Sequence, residues 1–244
     1  MIKLGIDIGA TGIKGALVNV ETGKYVSERV RYLTPKNATP KQTLKIVQKI
    51  IRDLSWKGDI GLGFPLLIKK DICVWSSNLN AKWIGLDLVS FFAKNLNQKI
   101  FVANDADVAG LAEAKYGLDN VDSSNAFILF LTLGTGIGSA LIINNVLLPN
   151  TEFGHMPYKK EILENYISNT ARLQKGMTWK KYGKKLNKAL HILHFILSPD
   201  HIILGGGISK KYEKYAPYID KNLHVGPAKL ENNAGIIGAA LLCF

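Results

Sequence analysis

The feature that most constrains the fold is a strand–glycine turn–strand unit that occurs twice, near residues 3–19 and 127–143. In both places an apolar run of strand length leads into a turn with several glycines and then into a second apolar run. The two stretches share little more than their glycines, so the architecture repeats rather than the sequence. One such unit in each half predicts a chain of two similar α/β halves.

The remaining segments fit the same class of fold. Apolar spacing and turn residues predict further strands at 25–33, 59–63, 100–103, 146–148 and 201–204. Apolar positions at helical spacing predict helices near 44–54, 87–96, 106–116, 161–174, 179–197, 210–218 and 234–243. No low-complexity linker separates the halves. We therefore expect domains at 1–117 and 118–244, with the helix at 234–243 as a candidate final element of the first domain.

Composition limits the classes of function. The N-terminal segment has no secretory pattern, and no apolar run is long enough to span a membrane, so we expect a cytoplasmic protein. Cys73 and Cys243 are far apart, which argues against a zinc site or a disulfide framework. The formal net charge of +12 suggests a polyanionic partner. The alternative is a general lysine bias, which the presence of only four arginines supports.

The first glycine turn carries side chains that suit phosphate binding. Gly9 and Gly12 lack side chains, so backbone N–H groups there can approach phosphate oxygens closely. Thr11 and Lys14 add a hydroxyl and a positive charge, and Asp7 is a candidate for holding Mg²⁺, directly or through water. Glycine hairpins also occur simply to reverse a strand, so this segment alone leaves both interpretations open.

Two further glycine runs follow apolar strands. Gly134, Thr135 and Gly136 form a second hairpin of the same type in the second half. Gly205, Gly206 and Gly207 stand between a predicted strand and a predicted helix, where a phosphate or a nucleoside can bind at the helix N-terminus. Neither the Walker A spacing nor the dinucleotide-binding spacing is present. Three glycine runs at strand ends in one chain favour phosphate binding.

The pair Asn104-Asp105 follows directly after a predicted strand. A carboxylate at the C-terminal end of a strand commonly points into a ligand crevice, and phosphoryl transfer to a hydroxyl uses an acid as proton acceptor. The alternative is that Asp105 caps the following helix, a role for which Asp107 competes. The residues alone do not decide between a catalytic base and a cap.

A polar group of a different kind lies near residue 150. Glu152 and His155 stand within four residues, a combination that suits hydrogen bonding to vicinal sugar hydroxyls. Asn78 lies between Trp75 and Trp83, an aromatic setting typical of carbohydrate sites and also of ordinary loops. A single histidine is more often structural, so these residues indicate a sugar site only in combination with the others.

Taken in order, these segments resemble the ROK (repressor, ORF, kinase) family. The resemblance is carried by DIGATGIKG, the pair at 104–105, LGTGIG, EFGH and the glycine run at 205–207, over nearly the full chain. The strings TEFGH, MTWKKYGKKLN, SPDHIILGGGISKKYEKY and AGIIGAAL resemble its polyphosphate glucokinase branch. This resemblance implies an α/β fold of two actin-like (ribonuclease H-like) lobes, with the sugar bound in the cleft between them.

The resemblance also implies roles for individual residues. Asp105 is the expected base for the glucose 6-hydroxyl. The expected sugar ligands are Asn78, Asn104, Asp105, Glu152, His155 and Glu164, of which Glu164 lies in a less regular alignment. The expected phosphate-binding residues are Asp7, Gly9, Thr11, Gly12, Lys14, Gly134, Thr135 and Gly136, and the nucleoside side is expected at Gly205, Gly206 and Gly207.

The sequence departs from the family pattern in two places. Many members carry a CxCGxxGC zinc cluster after the EFGH-like segment, whereas residues 156–176 contain no cysteine, so we expect no zinc site. The stretch from Met156 to Lys160 differs from the acidic segment expected there. Repressor members carry an N-terminal helix-turn-helix, and this chain begins at the phosphate hairpin, so we expect no nucleic-acid partner.

The function predicted from these features is phosphorylation of glucose at its 6-hydroxyl by polyphosphate with Mg²⁺, ATP being an alternative donor. The closest alternative is an ATP-dependent ROK hexokinase or amino-sugar kinase, and a non-catalytic sugar sensor is the alternative from another class. A homodimer without membrane attachment is expected. Lys180, Lys184 and Lys188 recur every four residues on a predicted helix and are a candidate polyphosphate track, unless they form an ordinary solvated face.

Overall fold

The structure is a computed structural model and describes residues 1–76, 79–119 and 121–244. The strands in these residues are β1 (Ile2–Ile8), β2 (Gly12–Asn19), β3 (Lys24–Tyr25), β4 (Val30–Leu33), β5 (Ile60–Phe64), β6 (Leu66–Lys69), β7 (Ile72–Ser76), β8 (Ile100–Asn104), β9 (Phe127–Leu133), β10 (Ile137–Ile143), β11 (Val146–Leu148), β12 (Pro157–Tyr158), β13 (Glu161–Ile162), β14 (His201–Gly205) and β15 (Val225–Pro227).

The α-helices are α1 (Pro40–Asp53), α2 (Leu88–Leu96), α3 (Asp105–Tyr116), α4 (Glu164–Ile167), α5 (Asn169–Gln174), α6 (Trp179–Leu197) and α7 (Ala234–Leu241). Short 3₁₀ turns lie at Ala81–Trp83, Ser123–Asn125, Phe153–His155, Ser209–Lys214, Ala216–Tyr218, Lys221–Leu223 and Glu231–Asn233. The chain divides into two units, one of residues 1–112 and 232–244 and the other of residues 113–231.

The first unit is built on a mixed sheet with the order β3-β2-β1-β5-β8, in which β4 also pairs with β2. The β1–β2 hairpin is antiparallel, whereas β5 pairs in parallel with both β1 and β8. Buried side chains from β1, β5, α1 and α2 form one core, and Trp83 packs edge-on against Phe64 inside it. The turn between β1 and β2 is the first glycine hairpin.

The second unit repeats this plan in a sheet with the order β11-β10-β9-β14-β15. The β9–β10 hairpin is antiparallel and β14 pairs in parallel with β9, as β5 does with β1. Buried side chains of β9, β14 and α6 form the core of this unit. The mixed α/β architecture and its repeated hairpin therefore agree with the fold class predicted from the glycine pattern.

The last helix, α7, belongs to the first unit because glycines let it approach the sheet. A Cβ atom on Gly5 would collide with the Ile236 carbonyl, and one on Gly61 would collide with the Ala239 carbonyl. The units thus divide at 112/113 and 231/232, whereas the sequence pattern placed one boundary at 117/118. The helix α3 continues across the first of these divisions.

Three predicted elements differ from the structure. The helix predicted at 161–174 is β13 followed by α4 and α5, because Ser168 is extended and its hydroxyl accepts a hydrogen bond from the Ala171 N–H as the cap of α5. The strand predicted at 25–33 is divided into β3 and β4, and between them the Ser27 hydroxyl accepts from the Leu17 N–H. The helix predicted at 210–218 is two 3₁₀ turns, the second containing Pro217.

Other local predictions agree with the structure. Helix α6 has the predicted bounds, and the turn between β10 and β11 has positive φ at both Asn144 and Asn145, as a two-residue hairpin requires. Within the described residues, no helix combines the length and the apolar character that crossing a membrane requires.

Candidate functional site

The first glycine hairpin is held in shape by its neighbour strand. The Gly9 N–H donates to the Gly12 carbonyl at 3.1 Å, and the Thr34 hydroxyl donates to the Gly9 carbonyl at 2.6 Å. The side chain of Arg31 lies against Gly12, since a Cβ atom there would stand 2.9 Å from Arg31 Nε. Thr11, at the tip, is exposed. This hairpin therefore presents backbone and hydroxyl groups beside an arginine.

Asp7 and Lys14 face each other across the β1–β2 hairpin. They are register partners, and Lys14 Nζ lies 3.2 Å from Asp7 Oδ2, with side chains 23% and 16% exposed. Burial raises the pKa of the Asp7 carboxyl, and the charge and hydrogen bond of Lys14 offset part of this rise. Gly235 of α7 closes the other side, because a Cβ atom there would lie 2.9 Å from Asp7 Cγ.

Arg31 and Gly235 were missed in the sequence. Arg31 is the register partner of Lys14 in the β2–β4 pairing, so its place beside the hairpin follows from strand alignment rather than from a motif. Gly235 lies more than 200 positions from Asp7 and only the packing of α7 brings them together. A strand over 25–33 was predicted, but no motif within it indicated that Arg31 lies beside the glycine hairpin.

Asn104 and Asp105 lie at the junction of β8 and α3. The Asn104 side chain accepts from the Ala106 N–H at 2.8 Å and donates to the Leu66 carbonyl at 3.0 Å. The Asp105 carboxylate accepts from the same Ala106 N–H at 2.8 Å, and its side chain is half-buried. Asn104 thus fills the capping role and is fixed to β6. The start of α3 therefore has a capping residue without Asp105.

The second glycine hairpin meets an acid from α4. The Gly134 N–H donates to the Gly136 carbonyl at 3.0 Å, and the Thr170 N–H donates to the Gly134 carbonyl at 3.3 Å. Glu164 Oε2 accepts a hydrogen bond from the Ile137 N–H at 3.2 Å. The same oxygen would lie 2.6 Å from a Cβ atom on Gly136. Glu164 is therefore set against the hairpin backbone at Gly136 and Ile137.

The Glu152–His155 turn packs on the same strand. A Cβ atom on Gly154 would collide with the Ile137 carbonyl, and the Ser139 hydroxyl accepts from the Phe153 N–H at 3.0 Å. His155 Nδ1 lies 3.3 Å from Glu152 Oε2, with both side chains partly exposed. The structure thus gathers Glu152, His155 and Glu164 around the start of β10.

The third glycine run adjoins the second hairpin. Gly206 has a φ of 78°, which favours glycine, and a Cβ atom there would lie 2.9 Å from Leu133 N. Its carbonyl accepts from the Ser209 N–H and hydroxyl. A Cβ atom on Gly134 or on Gly207 would meet no atom of a non-neighbouring residue within 4 Å, so the backbone at both positions has open space beside it. The second unit therefore joins two of the three predicted phosphate segments.

The other predicted positions divide into three cases. Lys180, Lys184 and Lys188 are exposed along α6. Asn78 lies outside the described residues. Trp83 is fully buried, and its indole N–H donates to the Ala38 carbonyl at 2.9 Å, so it belongs to the core rather than to a sugar-binding surface. No group of three or more possible metal-ligating side chains occurs among the residues that the structure describes.

The two units share one strand order and each contains a glycine hairpin, and a carboxylate stands at the end of a strand. These features are those of a phosphotransferase of the actin-like fold. The ROK family model matches residues 3–177, and the chain belongs to this family. Polyphosphate glucokinase from Mycobacterium tuberculosis is 37% identical over 238 residues, covering 97% of this chain and 89% of that protein. Inorganic polyphosphate/ATP-glucomannokinase from Arthrobacter is 38% identical, with a TM-score of 0.86 and coverage of 98% and 97%.

A more distant structure agrees with the fold. A ROK glucokinase from Streptomyces griseus, solved with glucose and AMPPNP, is 20% identical, with a TM-score of 0.80 and coverage of 99% of both chains. The resemblance proposed from DIGATGIKG, LGTGIG and EFGH is thus confirmed at the level of family and fold. The chain is a sugar-phosphorylating enzyme of the ROK family.

Proposed function

We propose that this chain is a glucose kinase that transfers the terminal phosphoryl group of inorganic polyphosphate to the glucose 6-hydroxyl, with ATP as a second donor. The observation that carries the proposal is the match to polyphosphate glucokinases over 97% of the chain. The Asn104-Asp105 pair and the glycine hairpins lie within that match. Both cysteines are buried free thiols, which fits our proposed location in the reducing cytoplasm.

Asp105 is the proposed catalytic base. Its carboxylate stands at the end of β8, where Asn104, tied to Leu66 and to the start of α3, fixes the local backbone. In this role Asp105 accepts the 6-hydroxyl proton as the oxygen attacks the terminal phosphorus, and the bond from that phosphorus to the remaining phosphate chain breaks. Asn104 serves as the neighbouring sugar contact through its side-chain amide.

The proposed donor contacts are the glycine segments. Gly9, Thr11, Gly12 and Lys14 supply the first set, and Gly134 with Thr135 and Gly136 the second, while Gly205, Gly206 and Gly207 are the nucleoside side for ATP. Asp7 is the acid that would hold Mg²⁺, and the donor phosphates would supply further ligands to the ion. The partly buried carboxylate of Asp7 beside Lys14 fits this role. Bound Mg²⁺ would neutralise developing charge on the transferred group.

A coupled assay with glucose, Mg²⁺ and either polyphosphate or ATP tests the proposal. Formation of glucose 6-phosphate with polyphosphate is the expected result. Turnover with ATP alone would assign the chain to the ATP-dependent ROK hexokinases, and turnover only with an amino sugar would assign it to the amino-sugar kinases. Glucose binding without turnover by either donor would leave a sugar sensor as the function.

Glu152→Gln and His155→Ala are each expected to raise the glucose KM by about tenfold while changing the donor KM little, because each removes a proposed hydrogen bond to the sugar. Steady-state kinetics with glucose and donor varied separately measure the split. Glu164→Gln is expected to act on the same side. His191→Ala, which breaks an exposed pair with Asp220, is the matched control and should change neither constant. A raised donor KM with unchanged glucose dependence would move this turn to the phosphate side.

Replacing Lys180, Lys184 and Lys188 together by Gln is expected to raise the polyphosphate KM two- to threefold and to spare the ATP KM, because the proposed ATP contacts are the glycine segments and do not include these lysines. Screening by salt should weaken polyphosphate binding more than ATP binding. The matched control removes Lys41, Lys45 and Lys49, an exposed row of the same spacing on α1. Equal effects on both donors would contradict the proposed track.

We propose a homodimer that uses the apolar end of α6. Ile192, Phe195 and Ile196 share one side of this helix and are 40%, 87% and 59% exposed. A patch of this kind can pair with its own copy about a two-fold axis. Phe195→Glu is expected to give a monomer by light scattering at concentrations where the parent is dimeric. Leu33→Glu, at an apolar position on β4 that is 73% exposed, should leave the dimer intact.

A further inference from the structure

Four lysines from separate segments of the second unit converge on one place. Lys159 precedes β13, Lys175 follows α5, and Lys181 and Lys185 lie one turn apart on α6. We call Lys159, Lys175, Lys181 and Lys185 the lysine cluster. Within the cluster, Lys181 and Lys185 form a row on α6 that is adjacent to the row of Lys180, Lys184 and Lys188. The row of Lys181 and Lys185 has two cationic neighbours from outside the helix, Lys159 and Lys175.

A tyrosine ring draws two members of the cluster together. Lys159 Nζ lies 5.5 Å from the centre of the Tyr166 ring and 5.3 Å from that of Tyr158. Lys175 Nζ lies 4.9 Å from the Tyr166 ring and donates a hydrogen bond of 2.5 Å to the Asn165 carbonyl. Two ammonium groups therefore share one aromatic ring, and a hydrogen bond to the backbone holds that of Lys175 in position.

The charges of the cluster act on one another. Burial lowers the pKa of the half-buried Lys185 ammonium group, and the positive charges of the other three members lower it further. In the part of the chain that the structure describes, no acidic side chain forms an ion pair with any of the four. Like charges held this close are unfavourable, and the tyrosine ring offsets only part of the repulsion. A bound polyanion would relieve it.

The lysine cluster is connected to the second glycine hairpin through α4. Glu164, the first residue of α4, contacts the hairpin at Gly136 and Ile137. The next residue, Asn165, holds Lys175, and Tyr166 lies under both Lys159 and Lys175. This helix is only about 6 Å long. Phosphates that continue past the hairpin would therefore come into the range of the cluster.

We propose that the lysine cluster binds the distal phosphates of a polyphosphate chain whose reacting end lies at the glycine hairpins. This inference rests on the proposed function and adds to it the site that separates a long donor from ATP. The phosphates of ATP end at the hairpins, so ATP does not need the cluster. Lysine ammonium groups suit a flexible chain of single phosphates, and Tyr166, with lysines over its ring, is poorly placed to stack on a nucleic-acid base.

The test replaces Lys159, Lys175 and Lys181, all exposed, by Gln in one variant, which keeps the half-buried Lys185 in place. We expect the KM for long-chain polyphosphate to rise about tenfold and the constants for ATP and glucose to stay unchanged. The gain in affinity with polyphosphate chain length should also be lost. Two charge-matched variants serve as comparisons, the α1 triple with no expected effect and the triple of Lys180, Lys184 and Lys188 with the smaller effect stated above.

Direct binding separates failure of this inference from failure of the proposed function. Calorimetry of the parent and the three variants with long-chain polyphosphate, without glucose, measures the site even in an enzyme that uses only ATP. Weakening of about tenfold in the cluster variant, with at most two- to threefold weakening in the variant of Lys180, Lys184 and Lys188 and none in the α1 variant, supports the site. Equal weakening in all three variants, or a parallel loss of ATP turnover, overturns it. An oligonucleotide of matched charge that binds as tightly, and is lost in the same variant, would assign the cluster to nucleic acid instead.

Discussion

Asp105→Asn is expected to lower kcat by about 10²- to 10⁴-fold with glucose and either donor, since an amide cannot accept the hydroxyl proton. The fold should be unaffected, because Asn104 supplies the cap of α3 and an Asn at 105 still offers an oxygen to the Ala106 N–H. Steady-state turnover measures the first effect and thermal unfolding the second. The combination separates a catalytic base from a helix cap.

The matched control for this prediction is Asp87→Asn. Asp87 is the cap of α2, where its carboxylate accepts from the Ser90 N–H and hydroxyl, both at 2.8 Å. This variant should lower the unfolding temperature slightly and leave kcat unchanged. Near-normal turnover in Asp105→Asn, with a loss of stability like that of Asp87→Asn, would make Asp105 a structural residue and would remove the base from the proposed mechanism.

Local patterns allowed the hairpins to be predicted from the sequence. Glycines between two apolar runs of strand length favour a strand reversal, and the alternation of side chains sets which residues share a face. The pairing of Asp7 with Lys14 across the first hairpin is a consequence of that register. The same reasoning located Gly134 to Gly136 at the matching turn of the second unit.

Features that depend on packing between distant segments were not predictable in this way. Two basic rows on α6 are visible in the sequence, that of Lys180, Lys184 and Lys188 and that of Lys181 and Lys185. Only the structure shows that Lys159 and Lys175 arrive from other segments beside the second row. Periodicity within one helix carries no information about such neighbours.

Side-chain capping overrode apolar periodicity in the segment after residue 161. The spacing there predicted one helix, but Ser168 ends α4 and caps α5. The break sets Glu164 on a short helix against the Gly136 backbone. The break departs from the local preference for one continuous helix, and it coincides with a proposed functional residue.

Close backbone contacts between α7 and its unit were also hidden in the sequence, although glycines supply them. Gly61 of β5 meets the Ala239 carbonyl, and Gly238 of α7 meets the Val108 carbonyl of α3. In each case the approach leaves no room for a Cβ atom. The same helix carries Gly235 beside Asp7, so the packing of α7 also determines the surroundings of the acid proposed to hold Mg²⁺.

Gly61→Ala is therefore expected to destabilise the protein by about 3 kcal/mol or more, because the added methyl group meets a helix backbone that cannot rotate away as a side chain would. For a chain of this size the unfolding temperature should fall by roughly 6–12 °C in a calorimetric scan. Gly226→Ala is the matched control, since its Cβ position has no atom within 4 Å and its φ is ordinary. A scan of Gly61→Ala that coincides with that of Gly226→Ala would show that α7 can shift away from β5 at little cost, and the packing of this helix would then not be what fixes Gly235 beside Asp7.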